Sequence, residues 1–337
     1  MDKEFRHIQA AHCESGVTNS LLRNIGIREM TEPLAFGIGA GLFFVYVPFL
    51  KISGGPAIAF RSFPGIIFRQ TCRSLGIGIV RKKFGSRVEA KKFLDERLAE
   101  GRAVGCQVGV YYLPYFPKEY RFHFNAHNLI VLSKQGDHYW VSDPIMEKVV
   151  SLSDYELERV RFARGALAPR GQAYYPVLKG PVDHWKMRQG IRSGINRNVF
   201  NMLHIPGPIA GVSGIVFTGN RIRQWREKLG PGKAGLYLAQ LVRMQEEIGT
   251  GGGGFRYIYA AFLQEADSYW PGMQLAAHSE WFTRAGDRWR DAAVQAAGIY
   301  KGRLGAQSDY DMMGDMLREI AAIEKEAFTN LSKLKWT

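Results

Sequence analysis

Cysteine is scarce in this chain: three residues among 337, at positions 13, 72 and 106. So small and odd a number excludes a disulfide framework and fits reduced thiols. Long apolar runs are scarce too. The opening "MDKEFRHIQAAHC" has no apolar core after a basic region, so it does not read as a signal peptide. "LAFGIGAGLFFVYVPFL", 34–50, is 17 residues long, and three glycines and Pro48 interrupt it. A spanning helix needs about 20 predominantly apolar residues. The glycine-rich part reads as a loop and "LFFVYV" as a buried strand, so no transmembrane span is expected. Internal repeats, zinc-finger motifs and RNA-recognition motifs are missing as well. These absences point to a cytoplasmic protein without a metal site.

The chain does carry charge of one sign in excess. Lys and Arg number 45 against 31 Asp and Glu, a net +14, divided evenly as +7 before residue 150 and +7 after it. A diffuse basic surface suits acidic partners: nucleic acid, an anionic membrane or an acidic carrier protein. Nucleic acid rests on charge alone, and no nucleic-acid role is expected. A hydrophobic content of 46% is enough for a sizeable core, and the length suggests two domains at roughly 100–200 residues each.

Local patterns divide the chain in the same way. Val17, Leu21, Leu22 and Ile25 recur at helical spacing over 13–25, with Gly26 as a stop. Residues 42–47 read as a strand. "SRVEAKKFLDERLAEG", 86–101, is a helix with Ser86 as N-cap and Glu89 completing a capping box. Val88, Phe93, Leu94 and Leu98 form its predicted apolar face. "AVGCQVGVYYL", 103–113, alternates as a strand, and "AHNLIVLSKQGDHYWVSDP", 126–144, reads as a hairpin turning at 134–137. After about 150 nearly every segment carries helical periodicity. "APRGQAYYPVLKGP", 168–181, is rich in Pro and Gly and reads as part of the boundary.

Cys13 precedes or begins the first helix. A helix N-terminus lowers a thiol pKa, and the thiolate is the reactive form. Activation also needs a base and a group that orients it. His127 opens the first hairpin strand and Asp143 ends the second, so their side chains can meet near the open end. That supplies Cys, His and Asp in chain order. Bland readings stand beside it. A lone buried cysteine is common, the Asp143-Pro144 pair is ordinary turn chemistry, and His123 is a second candidate base. His12 points elsewhere if its residue is extended. Cys72 and Cys106 lie in apolar, strand-like runs and read as core.

The arrangement resembles the papain-like fold. More closely, His12-Cys13 with the first helix, "FGIGAGLFF" at 36–44, "VGVYYLPY" at 108–115, "AHNLIVL" at 126–132 and "VSDP" at 141–144 resemble the N-terminal domain family of the butirosin-biosynthesis acyltransferase. That family is related to double-glycine leader peptidases. The second half, above all "GTGGGGFRYIYAAFLQEA" at 249–266, resembles the helical domain of unknown function often fused to it.

The resemblance implies an α+β chain: a papain-like catalytic domain over 1–155, with an N-terminal helix and a mostly antiparallel sheet, then an all-α substrate- or carrier-binding domain over 156–337. It implies Cys13 as nucleophile, His127 as base and Asp143 as orienting acid. The implied reaction moves an acyl group from an acyl carrier protein thioester to a small-molecule amine, in secondary-metabolite biosynthesis. No cofactor is bound, and the substrate rides on the carrier's phosphopantetheine arm. Papain-like enzymes place a glutamine upstream of the cysteine for the oxyanion. Gln9 is the upstream candidate here, at a tighter spacing, with Glu14 and Asn125 as alternatives. A cysteine peptidase or amide hydrolase with the same three residues, and a non-catalytic scaffold of the fold, are the rival readings. A homo-oligomer is compatible with the sequence.

Two features lie outside the three residues. "GTGGGGFR", 249–256, suits either an anion site, with Gly251, Gly252, Gly253 and Arg256 converging on a phosphate, or a tight inter-helix turn. No Gly-Lys-Ser/Thr follows, so it is not a Walker loop. The basic segments "RVRFARGALAPR", "HWKMRQGIRSGINR" and "NRIRQWREK" read as solvated helix faces or as a surface for an acidic carrier. An acyl chain would also need an apolar tunnel, for which the interface of the two halves is the natural place.

Overall fold

The computed structural model describes residues 5–52 and 54–336. In chain order the first elements are α1 (Cys13–Asn24), α2 (Glu32–Ile38), β1 (Leu42–Ile52), β2 (Gly55–Arg61), α3 (Ile66–Ser74), β3 (Gly78–Lys82) and α4 (Arg87–Ala99). Then come β4 (Val104–Val108), β5 (His127–Gln135), β6 (His138–Ser142), β7 (Val150–Ser153), α5 (Asp154–Arg161) and β8 (Ala173–Val177). Helices follow: α6 (His184–Leu203), α7 (Gly211–Ile222), α8 (Trp225–Leu229), α9 (Pro231–Val242), α10 (Arg256–Asp267), α11 (Leu275–Tyr300) and α12 (Gln307–Ser332). The chain is α+β. Among the described residues no helix is long and apolar enough to cross a membrane.

Packing clusters the chain into two compact units. The first takes residues 1–35 and 67–186, the second 36–66 and 187–337. A single cut at 155 differs from this division in two places. The hairpin β1–β2 belongs to the second unit, and α5 and β8 belong to the first.

The first unit is built on a six-stranded sheet of order β3-β8-β4-β5-β6-β7, antiparallel throughout. One face is apolar. Leu94 of α4 and Leu157 and Val160 of α5 pack there with Val104, Cys106, Val108, Leu129, Val131, Val141 and Tyr175. Alternation turns Gly105, Gln107, Asn128 and Tyr174 to the opposite face. Helix α1 packs against β5, β4 and β8. All its residues from Cys13 to Leu22 are buried, so its apolar stripe alone understates how enclosed it is. It ends where Gly26 takes φ 108°, a value that favours glycine.

The structure corrects several local expectations. Residues 32–38 form a helix where a glycine-rich loop was expected, and β1 continues to Ile52. Ser86 does cap α4, accepting from the Glu89 N–H, but Val88 is 76% exposed and Ala90 takes the inner position. Cys72 is buried in a helix rather than a strand. The half after 150 is not all helix either: Val150–Ser153 and Ala173–Val177 are strands. The second lies inside the segment read as a boundary.

In the second unit, the hairpin β1–β2 packs with helices around Trp289. Its ring stands edge-on to Phe60 at 5.0 Å and stacks on Phe44 at 5.8 Å. Beside it, Arg256 and Glu324, both fully buried, form a bidentate pair at 2.8 and 2.9 Å. The Trp289 indole N–H donates to the same carboxylate at 2.8 Å. Three charge-assisted or polar contacts satisfy what would otherwise be costly buried charge.

Candidate active site

Cys13 occupies the first turn of α1, 9% exposed. The residues before it are fixed by one carboxylate. Glu32 accepts from the N–H of Ala11 at 2.9 Å, from the N–H of His12 at 2.7 Å and from the Ser15 hydroxyl at 3.0 Å. Burial raises the Glu32 pKa, and these bonds work against the rise. His12 is extended and caps the helix, its ring nitrogen accepting from the Ser15 N–H.

The hairpin delivers the partners. His127 begins β5, and Asp143 follows the last residue of β6. His127 Nε2 meets Asp143 Oδ2 at 2.7 Å, and Asp143 is wholly buried. Tyr115 donates to the same oxygen at 2.8 Å, and the Ile145 N–H donates to the other at 3.1 Å. Burial alone would lower the His127 pKa. The charges of Asp143 and Cys13, and hydrogen bonds to both, outweigh it and push the imidazole up to about 10. The structure thus brings Cys13, His127 and Asp143 into contact. His123, the other candidate base, is exposed and stacks on Tyr111 at 4.1 Å.

The Asp143 turn is pinned from both sides. Ala10 N–H donates to Pro144 O at 2.7 Å, and His7 bridges the Ser142 hydroxyl and Met146 O. Gly16 makes the approach of helix and turn possible. A Cβ there would lie 2.6 Å from Ala10 Cβ and 2.8 Å from Pro144 Cβ.

The remaining sequence candidates sit elsewhere or are already engaged. Gln9 is exposed and donates to Ile145 O at 3.4 Å, not toward the thiol. Glu14 is buried and accepts from the N–H of Ile67 and Phe68 at the start of α3. The Asn125 amide donates to Arg164 O and Ala166 O. Gly251, Gly252 and Gly253 all have positive φ, as the run suggested; Gly251 is exposed, whereas Gly252 and Gly253 are buried with internal partners. The Gly253 N–H donates to Glu246, and Arg256 is held by Glu324 and Gly254 O. A Cβ on Gly253 would come within 2.9 Å of Gly286 Cα, so the run is a close-packed turn against α11. Arg161, in one of the basic segments, is buried and donates to Ala90 O and Gly171 O. Among the described residues no three His, Cys, Asp or Glu side chains gather as a metal site requires.

Sequence reasoning missed Tyr115, Asn128 and Tyr174. Asn128 Nδ2 lies 4.0 Å from Cys13 Sγ, and Tyr174 donates to Asn128 Oδ1 at 2.7 Å. The signal was present in the strand alternation. Ile130 and Asn128 share the sheet face that meets α1, where a buried polar residue needs a reason.

A cysteine at the mouth of a helix, packed on an antiparallel sheet that carries His and Asp, defines a papain-like cysteine-enzyme family. Residues 12–144 match the family described as butirosin biosynthesis protein H, N-terminal, and 155–331 match a domain of unknown function, DUF4872. Together they span most of the chain, which belongs to this two-part family. A solved structure described as a C39-like peptidase from Bacillus anthracis is similar at 14% identity and a TM-score of 0.36. That similarity covers 53% of this chain and 96% of the other. No curated protein matches.

Proposed function

We propose that the chain is a cysteine-dependent acyltransferase of a biosynthetic pathway. Its donor is an acyl thioester on the phosphopantetheine arm of an acidic carrier protein, and its acceptor is a small-molecule amine. The observation that supports this most is the contact of His127 with both Cys13 and the buried Asp143. The description of the matched family favours a biosynthetic role, and the net charge of +14 suits an acidic donor protein.

Asp143 engages Nε2, so Nδ1 is the nitrogen left to face the thiol. An imidazolium there is the counter-charge for a Cys13 thiolate. The thiolate attacks the thioester carbonyl carbon, and the C=O electron pair moves to oxygen. Collapse restores the carbonyl and expels the carrier thiolate, which takes the His127 proton. The acceptor amine then attacks the acyl-Cys13 carbonyl and passes a proton to His127. A second collapse releases the amide and regenerates the thiolate–imidazolium pair.

The test is incubation with a panel of acyl-carrier thioesters, read by intact mass with and without an added amine. An acyl adduct on the native chain, absent from Cys13→Ala and discharged to an amide by the amine, is the expected result. Discharge by water alone, at the same rate with or without amine, would replace transferase by hydrolase. Transfer that survives Cys13→Ala refutes the proposal.

A further inference from the structure

We propose that Asn128 is the side-chain donor of the oxyanion hole and that Tyr174 is the positioning residue that aims it; the inference rests on Cys13 being the nucleophile. The orientation of the Asn128 amide is fixed twice over. Nδ2 donates to Ala126 O at 3.1 Å, and a carbonyl can only accept, so the nitrogen must lie on that side. Tyr174 donates to Oδ1 at 2.7 Å. Burial first, then the charges of Glu14, Cys13 and Cys106, hold the Tyr174 hydroxyl protonated, so it remains a donor. Its ring reaches Asn128 because Gly105 lies beneath it. A Cβ on Gly105 would fall 2.5 Å from Tyr174 Cε2.

One Nδ2 hydrogen is therefore committed to Ala126, and the other faces Cys13 Sγ at 4.0 Å. Sulfur at that distance is a poor acceptor. An oxygen on the carbon bonded to that sulfur would fall between them, within reach at about 3 Å. The bond is then stronger in the tetrahedral state than before it, which is what acceleration requires. The Cys13 backbone N–H, in the first helical turn and without an intrahelical partner, supplies the second donor. Attack forms the S–C bond as the C=O pair moves to oxygen, and collapse returns that pair and breaks the bond to the leaving thiolate. Neighbouring amide side chains are spent: Gln107 donates to Asn125 O and Leu167 O, and Asn125 donates to two other carbonyls.

Two single-turnover rates on the full chain separate this role from others: acetylation of Cys13 by p-nitrophenyl acetate, which forms an oxyanion, and alkylation by iodoacetamide, which does not. Asn128→Ala should lose about 10²–10³-fold in acetylation and leave alkylation unchanged. Tyr174→Phe, which keeps Asn128 in place, should lose less, and the double variant should be no slower than Asn128→Ala. Acetylation at the native rate in Asn128→Ala overturns the inference while Cys13 stands. Parallel loss of both rates in Asn128→Ala and Tyr174→Phe overturns it too, because the amide would then be acting on the thiol or the fold. A native chain that is not acetylated at Cys13 overturns the reading beneath it.

Discussion

One methyl group at position 16 is expected to cost the site more than the fold. In Gly16→Ala the new carbon would sit 2.6 Å from Ala10 Cβ, roughly 0.8 Å short of an ordinary contact at 3.4 Å, and 2.8 Å from Pro144 Cβ. Both neighbours are carbons fixed to backbone, so no side-chain rotation relieves them. Overpacking of this kind costs about 1–3 kcal/mol. Replacing a helical glycine by alanine returns about 1 kcal/mol. The net loss of stability is then about 0–2 kcal/mol, read as a modest fall in urea midpoint. Pro144, however, is joined to Asp143, and a displacement approaching 1 Å at reacting groups costs about 10²-fold in rate. Cys13 acetylation should therefore fall by about two orders of magnitude in a chain that still folds. Adding Ala10→Gly removes the nearer clash and should restore part of the rate. Native acetylation in folded Gly16→Ala would refute the idea that helix and turn are held at a fixed approach.

Three further outcomes are expected. Cys13 should alkylate well ahead of Cys72 and Cys106 at pH 8, because burial pushes the Cys72 thiol up to about 12 and raises Cys106 as well; equal rates by peptide mapping would count against an activated thiol. The His127 pKa is raised in the folded chain from the ordinary 6.5 to about 10, so its stabilising contribution is full below about 6.5 and is lost as pH rises through about 10. The urea midpoint should drop across that window, and the drop should shrink in Asp143→Ala. Glu324→Gln leaves Arg256 buried with half its partner, and breaking such a pair costs about 3–5 kcal/mol, visible as a large fall in melting temperature; a melt within a degree of the native chain would show that the pair contributes nothing.

Much of the site was legible because it lies on strongly patterned elements. Helical spacing after Cys13 and the hairpin of 126–144 fix where His127 and Asp143 must stand. Other parts were not legible, for physical reasons. Strand β8 is buried along most of its length, so it shows no alternation, and it contains Pro176. Proline is tolerated there because β8 pairs with β4 only at Ala173 and Tyr174, leaving Pro176 with β3 alone. Nothing local to "LFFVYV" says which unit its strand will join, since that choice depends on residues such as Trp289 far along the chain. Asn128 was overlooked because its partner Tyr174 comes from that same concealed strand.

The hydrogen bonds around Asp143 also limit how this chain can diverge. Papain-like enzymes are known with either an amide or an acid beside the histidine. Here Asp143 receives three donors, His127 and Tyr115 on one oxygen and the Ile145 N–H on the other. An asparagine offers one oxygen and one nitrogen. With its nitrogen toward Ile145 it faces an obligate N–H donor; with its nitrogen toward Tyr115 and His127 it donates to Nε2, which moves the imidazole proton to Nδ1, the nitrogen that faces the thiol. Exchange of acid for amide here therefore sets a donor against the Ile145 N–H or holds His127 in the tautomer that cannot take a proton from Cys13.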